Sequence, residues 1–196
     1  MEQTSTLISF FVDPVWKGRL GWAPTNASFH SFVTALRVLW GEAAARDWLV
    51  AMKANEPRAY EGNSQALQAV AAGEVDVALV NHYYLMRQLA ESGGDYPVRN
   101  HFFGAGDPGS LVNVAGAAIL ASSKNRASAE AFVAYLLGVD AQRYFAEKTF
   151  EYPLVPEVPA PAGLPALSEL DPPDLDLSDL ADLERTLELL REVGIL

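Results

Sequence analysis

The segment Asn81-His82-Tyr83-Tyr84 places two phenols side by side, directly after the apolar run Val75-Asp76-Val77-Ala78-Leu79-Val80. A short apolar run that follows Gly73 reads as a buried strand of a parallel sheet. The tyrosines then fall at a strand's C-terminal end, where open α/β sheets bind their ligands. A phenol titrates at about pH 10 and is ordinarily neutral, but a trivalent cation stabilises the phenolate and turns it into a hard anionic oxygen donor. Successive helical residues point about 100° apart, so two such oxygens reach one ion only from a loop or a first helical turn. Asn81, as strand exit and cap, permits that geometry. The alternative for the same pair is aromatic packing in a groove beside the sheet.

A second group of donors lies at Pro24-Thr25-Asn26-Ala27-Ser28-Phe29. This reads as a strand-to-helix turn, whose free backbone N–H groups, with the Asn26 and Ser28 side chains, suit an anion such as phosphate or carbonate. An ordinary N-cap is the plainer account of the same residues. Asn63 heads another helix in the same way and Asn81 adjoins the tyrosines. Three element ends could therefore aim donors at one anion, although convergence is not visible in a sequence.

Other patterns carry less. Gly104-Ala105-Gly106-Asp107-Pro108-Gly109 matches G-x-G-x-x-G, but a dinucleotide fingerprint must pass from strand into helix, and Leu111 to Leu120 reads as strand. A Gly-rich turn is the better reading. His30, His82 and His101 have no metal-ligand spacing and read as surface or packing residues; no H-E-x-x-H, G-x-S-x-G or P-loop occurs. No acid, base and nucleophile stand together, so no enzyme is expected. With no cysteine in the chain, thiolate sites and disulfides are excluded.

The elements that must hold these residues follow from periodicity. Gly18 to Ala23 predicts a strand ended by Pro24, and Phe29, Phe32, Val33, Leu36 and Leu39 predict a helix from about Ser28. Further helices are expected over Glu42 to Ala54 and from Asn63 to about Gly73, giving β-α-α-α-β before the tyrosines. Beyond them come a helix to about Ser92, a strand near Val98 to Phe103, a strand over Leu111 to Leu120, a helix from Asn125 through Leu137 and a shorter one through Phe145. Seven of the twelve prolines lie between Pro153 and Pro173, predicting an extended wrapping segment. Leu180, Leu183, Leu187 and Leu190 predict one face of a closing amphipathic helix.

The 196 residues, half of them apolar, can bury a sizeable α/β core. The formal charge of −11 is uneven: residues 151–196 hold eleven carboxylates against Arg185 and Arg191, so the rest is nearly balanced. No basic stripe exists to meet nucleic acid or an anionic membrane surface. No apolar run approaches the roughly 20 residues of a membrane span, and none is expected. Met1-Glu2-Gln3-Thr4-Ser5-Thr6 lacks a basic start and Leu7 to Val12 is too short for a leader core, so no signal peptide is expected within the chain.

Taken in order, Trp16-Lys17-Gly18-Arg19, Pro24 to Phe29, Gly73 to Val77, Asn81 to Tyr84, Phe103 to Asp107 and Glu151-Tyr152-Pro153-Leu154 resemble the bacterial ferric-ion-binding proteins of iron(III) ABC transporters. The resemblance implies a type II periplasmic-binding-protein fold, two α/β lobes joined by crossover strands. Such a protein closes on Fe(III) and a synergistic phosphate or carbonate and delivers them to an ABC permease from the periplasm. It implies Tyr83 and Tyr84 as the iron ligands, Asn26, Ala27 and Ser28 as the anion loop, and Asn63 and Asn81 as further anion donors. Phe29 stands where some relatives have an additional tyrosine.

Against the family pattern, nothing before Trp16 matches, so most of the N-terminal lobe, with its own iron ligands, is expected to be missing. The organisation implied is 1–15 outside the resemblance, 16–110 the C-terminal lobe, 111–152 the crossover and the part returning to the N-terminal lobe, and 153–196 the wrapping segment and closing helix. A missing lobe or a second copy of the chain is then an expected partner. Other readings are a receptor for a different ligand of anion, polyamine or thiamine type, and a remnant that binds nothing.

Overall fold

The computed structural model describes residues 7–196; Met1 to Thr6, read above for a leader, lie outside the described residues. In chain order the regular elements are α1 (Leu7–Phe10), β1 (Leu20–Trp22), α2 (Ala27–Trp40), α3 (Glu42–Ala54), β2 (Arg58–Ala59), α4 (Asn63–Ala71), β3 (Val77–Ala78), α5 (His82–Glu91), α6 (Arg126–Leu136), α7 (Val139–Tyr144) and α8 (Leu183–Glu192). The chain divides into two compact units, one reaching Asn113 and resuming over Leu170–Leu196, the other Val114–Glu169.

The first unit is built on a parallel sheet of order β2-β1-β3, with Gly21 opposite Arg58 and Ala78, and Leu20 opposite Val77. Gly21 is tightly enclosed by side chains. A Cβ there would come within 3.0 Å of the Tyr60 ring and 3.3 Å of Val75. The helices follow from their apolar spacing. Phe29, Val33 and Leu36 of α2 and Ala45, Trp48, Leu49 and Met52 of α3 are buried on one face each. Gly41, at φ 84°, makes the reversal between these two helices. Their faces meet Leu20, Trp22, Leu189 and Leu190 in a single core.

Residues before Trp16, which carry no motif, contribute Ile8 and Phe11 to that core. They are tied down by polar contacts: the Trp48 indole N–H donates to the Ile8 carbonyl at 3.1 Å, and the buried Asn55 amide donates to the Phe11 and Asp13 carbonyls, each at 2.9 Å. On the other side of the core, α2, α3 and α8 share an ionic surface. Arg37 meets Glu42 and Asp182, Arg185 meets Glu42, Glu188 and Glu192, and Arg46 meets Glu192.

Four sequence expectations are corrected. A further strand, β2, stands between α3 and α4, so the order is β-α-α-β-α-β; its two residues are both exposed and offered no apolar pattern. Among the described residues neither Val98–Phe103 nor Leu111–Leu120 forms a strand. A strand needs a ladder partner, and an apolar run alone does not supply one. The buried face of α8 is Thr186, Leu189 and Leu190, whereas Leu183 is 46% exposed.

The second unit holds α6, α7 and a π-helical turn over Phe145–Thr149. Buried Gln142 stitches it: its amide N–H donates to the Leu136 carbonyl and its oxygen accepts from the Leu154 N–H. No residue of α6 is buried, and Phe132 and Tyr135 are each 60% exposed. From Pro153 to Pro173 the chain forms no α-helix, only a 3-10 turn at Leu167–Glu169, as the proline density demands.

Candidate ligand site at the strand ends

Because the three strands are parallel, their C-terminal ends share one edge of the sheet. Each strand leads into a helix there. β1 passes through Pro24-Thr25-Asn26 into α2, β2 through Tyr60-Glu61-Gly62 into α4, and β3 through Leu79-Val80-Asn81 into α5. Three helix N-termini, with their positive dipole ends, therefore open on the same edge.

At the first, Asn26 is the N-cap of α2. Its side-chain oxygen accepts from the Ser28 N–H at 2.9 Å and from the Ser28 hydroxyl at 2.7 Å. Ala27 is the first helical residue, and the His30 ring lies 2.9 Å from the Pro24 carbonyl, bracing the turn. Phe29 points the other way, into the core, edge-on to Trp22 at 5.4 Å between ring centres. At the second and third, buried Asn63 opens α4 and Asn81 precedes α5. The Asn63 amide N–H donates to the Asn81 side-chain oxygen at 2.9 Å. Asn81 makes no side-chain cap of its own helix.

Tyr83 and Tyr84 occupy the first turn of α5. Their rings stack at 4.7 Å between centres with 30° between planes. That is the first helical turn which the sequence reading required for two adjacent phenols to reach one ion. His82 stands edge-on to Tyr83 at 5.6 Å and leans on Phe102 at 6.5 Å, while the Asn100 amide donates to the His82 carbonyl at 3.0 Å. His101 packs edge-on against Phe103 at 5.5 Å. All three histidines thus make packing or bracing contacts.

The structure brings together Asn63 with Asn81 and Tyr83 with Tyr84, and pairs Asn26 with Ser28 in their own loop. Two residues escaped the sequence reading. Asn100 holds the start of α5, and Arg87 places its guanidinium 4.9 Å from the centre of the Tyr83 ring. The signal for Arg87 was present, since residues four apart on a helix share a face. Gly104 to Gly109 is a turn, as expected: buried Asp107 caps the 3-10 turn Pro108–Ser110, accepting from the Gly109 N–H at 2.7 Å and the Ile8 N–H at 3.2 Å. Among the described residues no three His, Asp or Glu side chains cluster as a metal site, and no helix is long and apolar enough to cross a membrane.

An open parallel sheet with polar helix starts and paired phenols on its C-terminal edge belongs to the class of α/β ligand receptors. The bacterial extracellular solute-binding protein family matches residues 9–176, and the chain belongs to it. The chain is 39% identical over 186 residues to the major ferric iron-binding protein of Neisseria meningitidis, covering 94% of this chain and 56% of that one. It is 37% identical to the Fe(3+)-binding periplasmic protein of Serratia marcescens, covering 93% and 54%. Iron-bound HitA from Pseudomonas aeruginosa superposes with a TM-score of 0.90 at 41% identity, over 95% of this chain and 60% of that one. The fold is that of the type II periplasmic binding proteins, and the chain spans little more than half the length of the curated relatives it matches.

Proposed function

We propose that this chain is the metal- and anion-anchoring part of the solute-binding component of an iron(III) ABC transporter. The observation that carries the reading is the stacked pair Tyr83–Tyr84 on the first turn of α5, beside the bonded pair Asn63–Asn81. Fe(III) is a hard trivalent cation, and two phenolates are hard anionic donors that leave charge and coordination positions for an anion. Phosphate or carbonate would sit on the helix starts, held by the Asn26–Ser28 turn, the Ala27 N–H and the amides of Asn63 and Asn81. The names of the relatives in Neisseria and Serratia support iron as the cargo. In this reading the unit that reaches Asn113 and resumes over Leu170–Leu196 is the C-terminal lobe, the partner is a membrane permease, and the compartment is periplasmic. The family is one of solute binders, which supports a binding role over an enzymatic one.

Adding Fe(III) with phosphate or carbonate tests the reading. A tyrosinate-to-iron absorption band in the visible is expected, reduced in Tyr83→Phe and Tyr84→Phe. A colourless titration, or a band unchanged in both variants, removes the tyrosines from the site.

A second reading, a receptor for an anion without iron, draws on the Asn63–Asn81 pair and the Asn26 turn, which need no metal. Calorimetry with phosphate in metal-free buffer separates the two: binding as tight without iron as with it favours the second.

A further inference from the structure

Asn81 stands at the entrance of α5, yet its side-chain oxygen accepts from Asn63 at 2.9 Å and it makes no side-chain cap on its own helix. A helix start without a side-chain cap is the part of a helix that frays first. The first residue of α5 is held from another direction. The Asn100 side-chain N–H donates to the His82 carbonyl at 3.0 Å, and the Phe102 ring lies 6.5 Å from the His82 ring between centres. Positions 100 and 102 thus serve α5, while His101 meets Phe103 at 5.5 Å and Phe103 stands edge-on to Phe11 at 6.1 Å. That is the alternation of an extended segment, kept here without a ladder. Its far end is fixed: the Ser110 hydroxyl donates to the Phe103 carbonyl at 3.0 Å, and a Cβ on Gly109 would come within 2.6 Å of the Phe103 ring.

We propose that Asn100 is a positioning residue for the Tyr83–Tyr84 turn, holding the start of α5 from the side and so leaving the Asn81 side chain to the anion site. The proposal rests on Tyr83 and Tyr84 being the iron ligands. Within a helix the His82 carbonyl is the acceptor for the N–H four residues on, at Met86. A donor from outside the helix on the same oxygen ties this turn to a segment that is itself anchored at Phe11 and Ser110. The spacing of the two phenol oxygens follows the winding of the turn, since each helical residue is rotated about 100° from the last. Without the tie, the turn unwinds in a fraction of the molecules. Only molecules with both phenols in place bind the ion at full strength, and the apparent affinity falls in proportion to their share.

The experiment uses the full chain with ferric nitrilotriacetate and excess inorganic phosphate, following the visible charge-transfer band, and reads amide hydrogen exchange on the same proteins without metal. Asn100→Leu, close in size but without the donor, is expected to bind iron about tenfold more weakly. Its amides at Met86 and Arg87 should exchange about tenfold faster than in the parent, while those of α4 keep their rates. Asn100→Gln, which keeps an amide N–H, is expected to recover most of the affinity. An Asn100→Leu protein with parental iron affinity overturns the proposal and leaves the iron site intact, whatever its exchange rates. Asn100→Gln as weak as Asn100→Leu also overturns it, because the N–H donor would then not be the cause. Exchange that quickens equally in α4 and α5 overturns it as well, since the loss would be general rather than local to the turn. A parental band that is missing, or that survives Tyr83→Phe and Tyr84→Phe unchanged, overturns the iron reading and this proposal with it.

Discussion

Asn63 donates its side-chain N–H to the side-chain oxygen of Asn81 at 2.9 Å, across the start of two helices eighteen residues apart in sequence. Asn63 is 3% exposed, so the bond is made largely out of water and its direction is set. The outcome is an Asn81 amide oriented by a buried partner.

Removing that partner should therefore act on both stability and binding. Asn63→Ala is expected to cost about 1–3 kcal/mol, the range for disrupting a buried hydrogen-bonded group, read as a lower denaturation midpoint. Phosphate affinity, measured by calorimetry, should fall with it. Asn63→Asp should lose more phosphate affinity than Asn63→Ala, because a carboxylate repels the anion; the reverse order would remove Asn63 from the anion site.

The Asn26 cap makes a separable prediction. Asn26→Ala removes the acceptor for the Ser28 N–H and hydroxyl. Loss of such a cap costs about 1 kcal/mol. Phosphate binding should weaken in this variant, while the Asn63–Asn81 pair keeps a residual affinity; full phosphate affinity in Asn26→Ala would place the anion elsewhere.

Gly21→Ala tests the sheet that carries the site. Its Cβ would sit 3.0 Å from the Tyr60 ring and 3.3 Å from the Val75 side chain, so both must give by a few tenths of an ångström. Overpacking of this kind costs about 1–3 kcal/mol. The Tyr60 ring stands just ahead of α4, so the Asn63 end should be disturbed as well, visible as slower or weaker ligand binding beside the lower melting temperature.

Packing of the closing helix gives the largest expected stability loss. Leu189 is fully buried among α2 and α3 side chains, and Leu189→Ala should destabilise the first unit by about 2–5 kcal/mol in a denaturant titration. Leu183→Ala, on an exposed position of the same helix, should change stability by less than about 0.5 kcal/mol.

Acid should loosen the same helix. Hydrogen bonds from Arg185, then Arg46, hold the Glu192 carboxyl at about 2, and Arg185 likewise holds Glu42 below its usual value. A carboxyl whose folded value is depressed adds stability that is full above its unfolded value and is lost as pH falls through the folded one. The melting temperature should therefore drop as pH goes from the ordinary carboxylate value of about 4.3 toward about 2, and Arg185→Ala should flatten that drop. Both carboxyls lie at the surface, so added salt should shrink the difference between the parent and Arg185→Ala.

Several features of this protein were determined by local sequence. Helix α3 was legible because Ala45, Trp48, Leu49 and Met52 repeat at helical spacing after a glycine. The placement of Tyr83 and Tyr84 was legible because an apolar run ends at Val80, three residues before Tyr83, and a strand end followed by a helix start is a local event. What the tertiary structure decided was every choice between competing partners. The leucines of α8 offered more than one apolar face. The face carrying Leu189 and Leu190 was chosen because the Thr186 hydroxyl meets Thr34 on α2 at 2.7 Å and Arg37 reaches Thr186 and Asp182. Residues 98–103 and 111–120 have strand-like composition without a ladder, and the exposed pair Arg58–Ala59 has a ladder without strand-like composition. A helix satisfies its own backbone within a few residues, whereas a ladder, a docked face and the Asn63–Asn81 bond each depend on a residue far away in the chain.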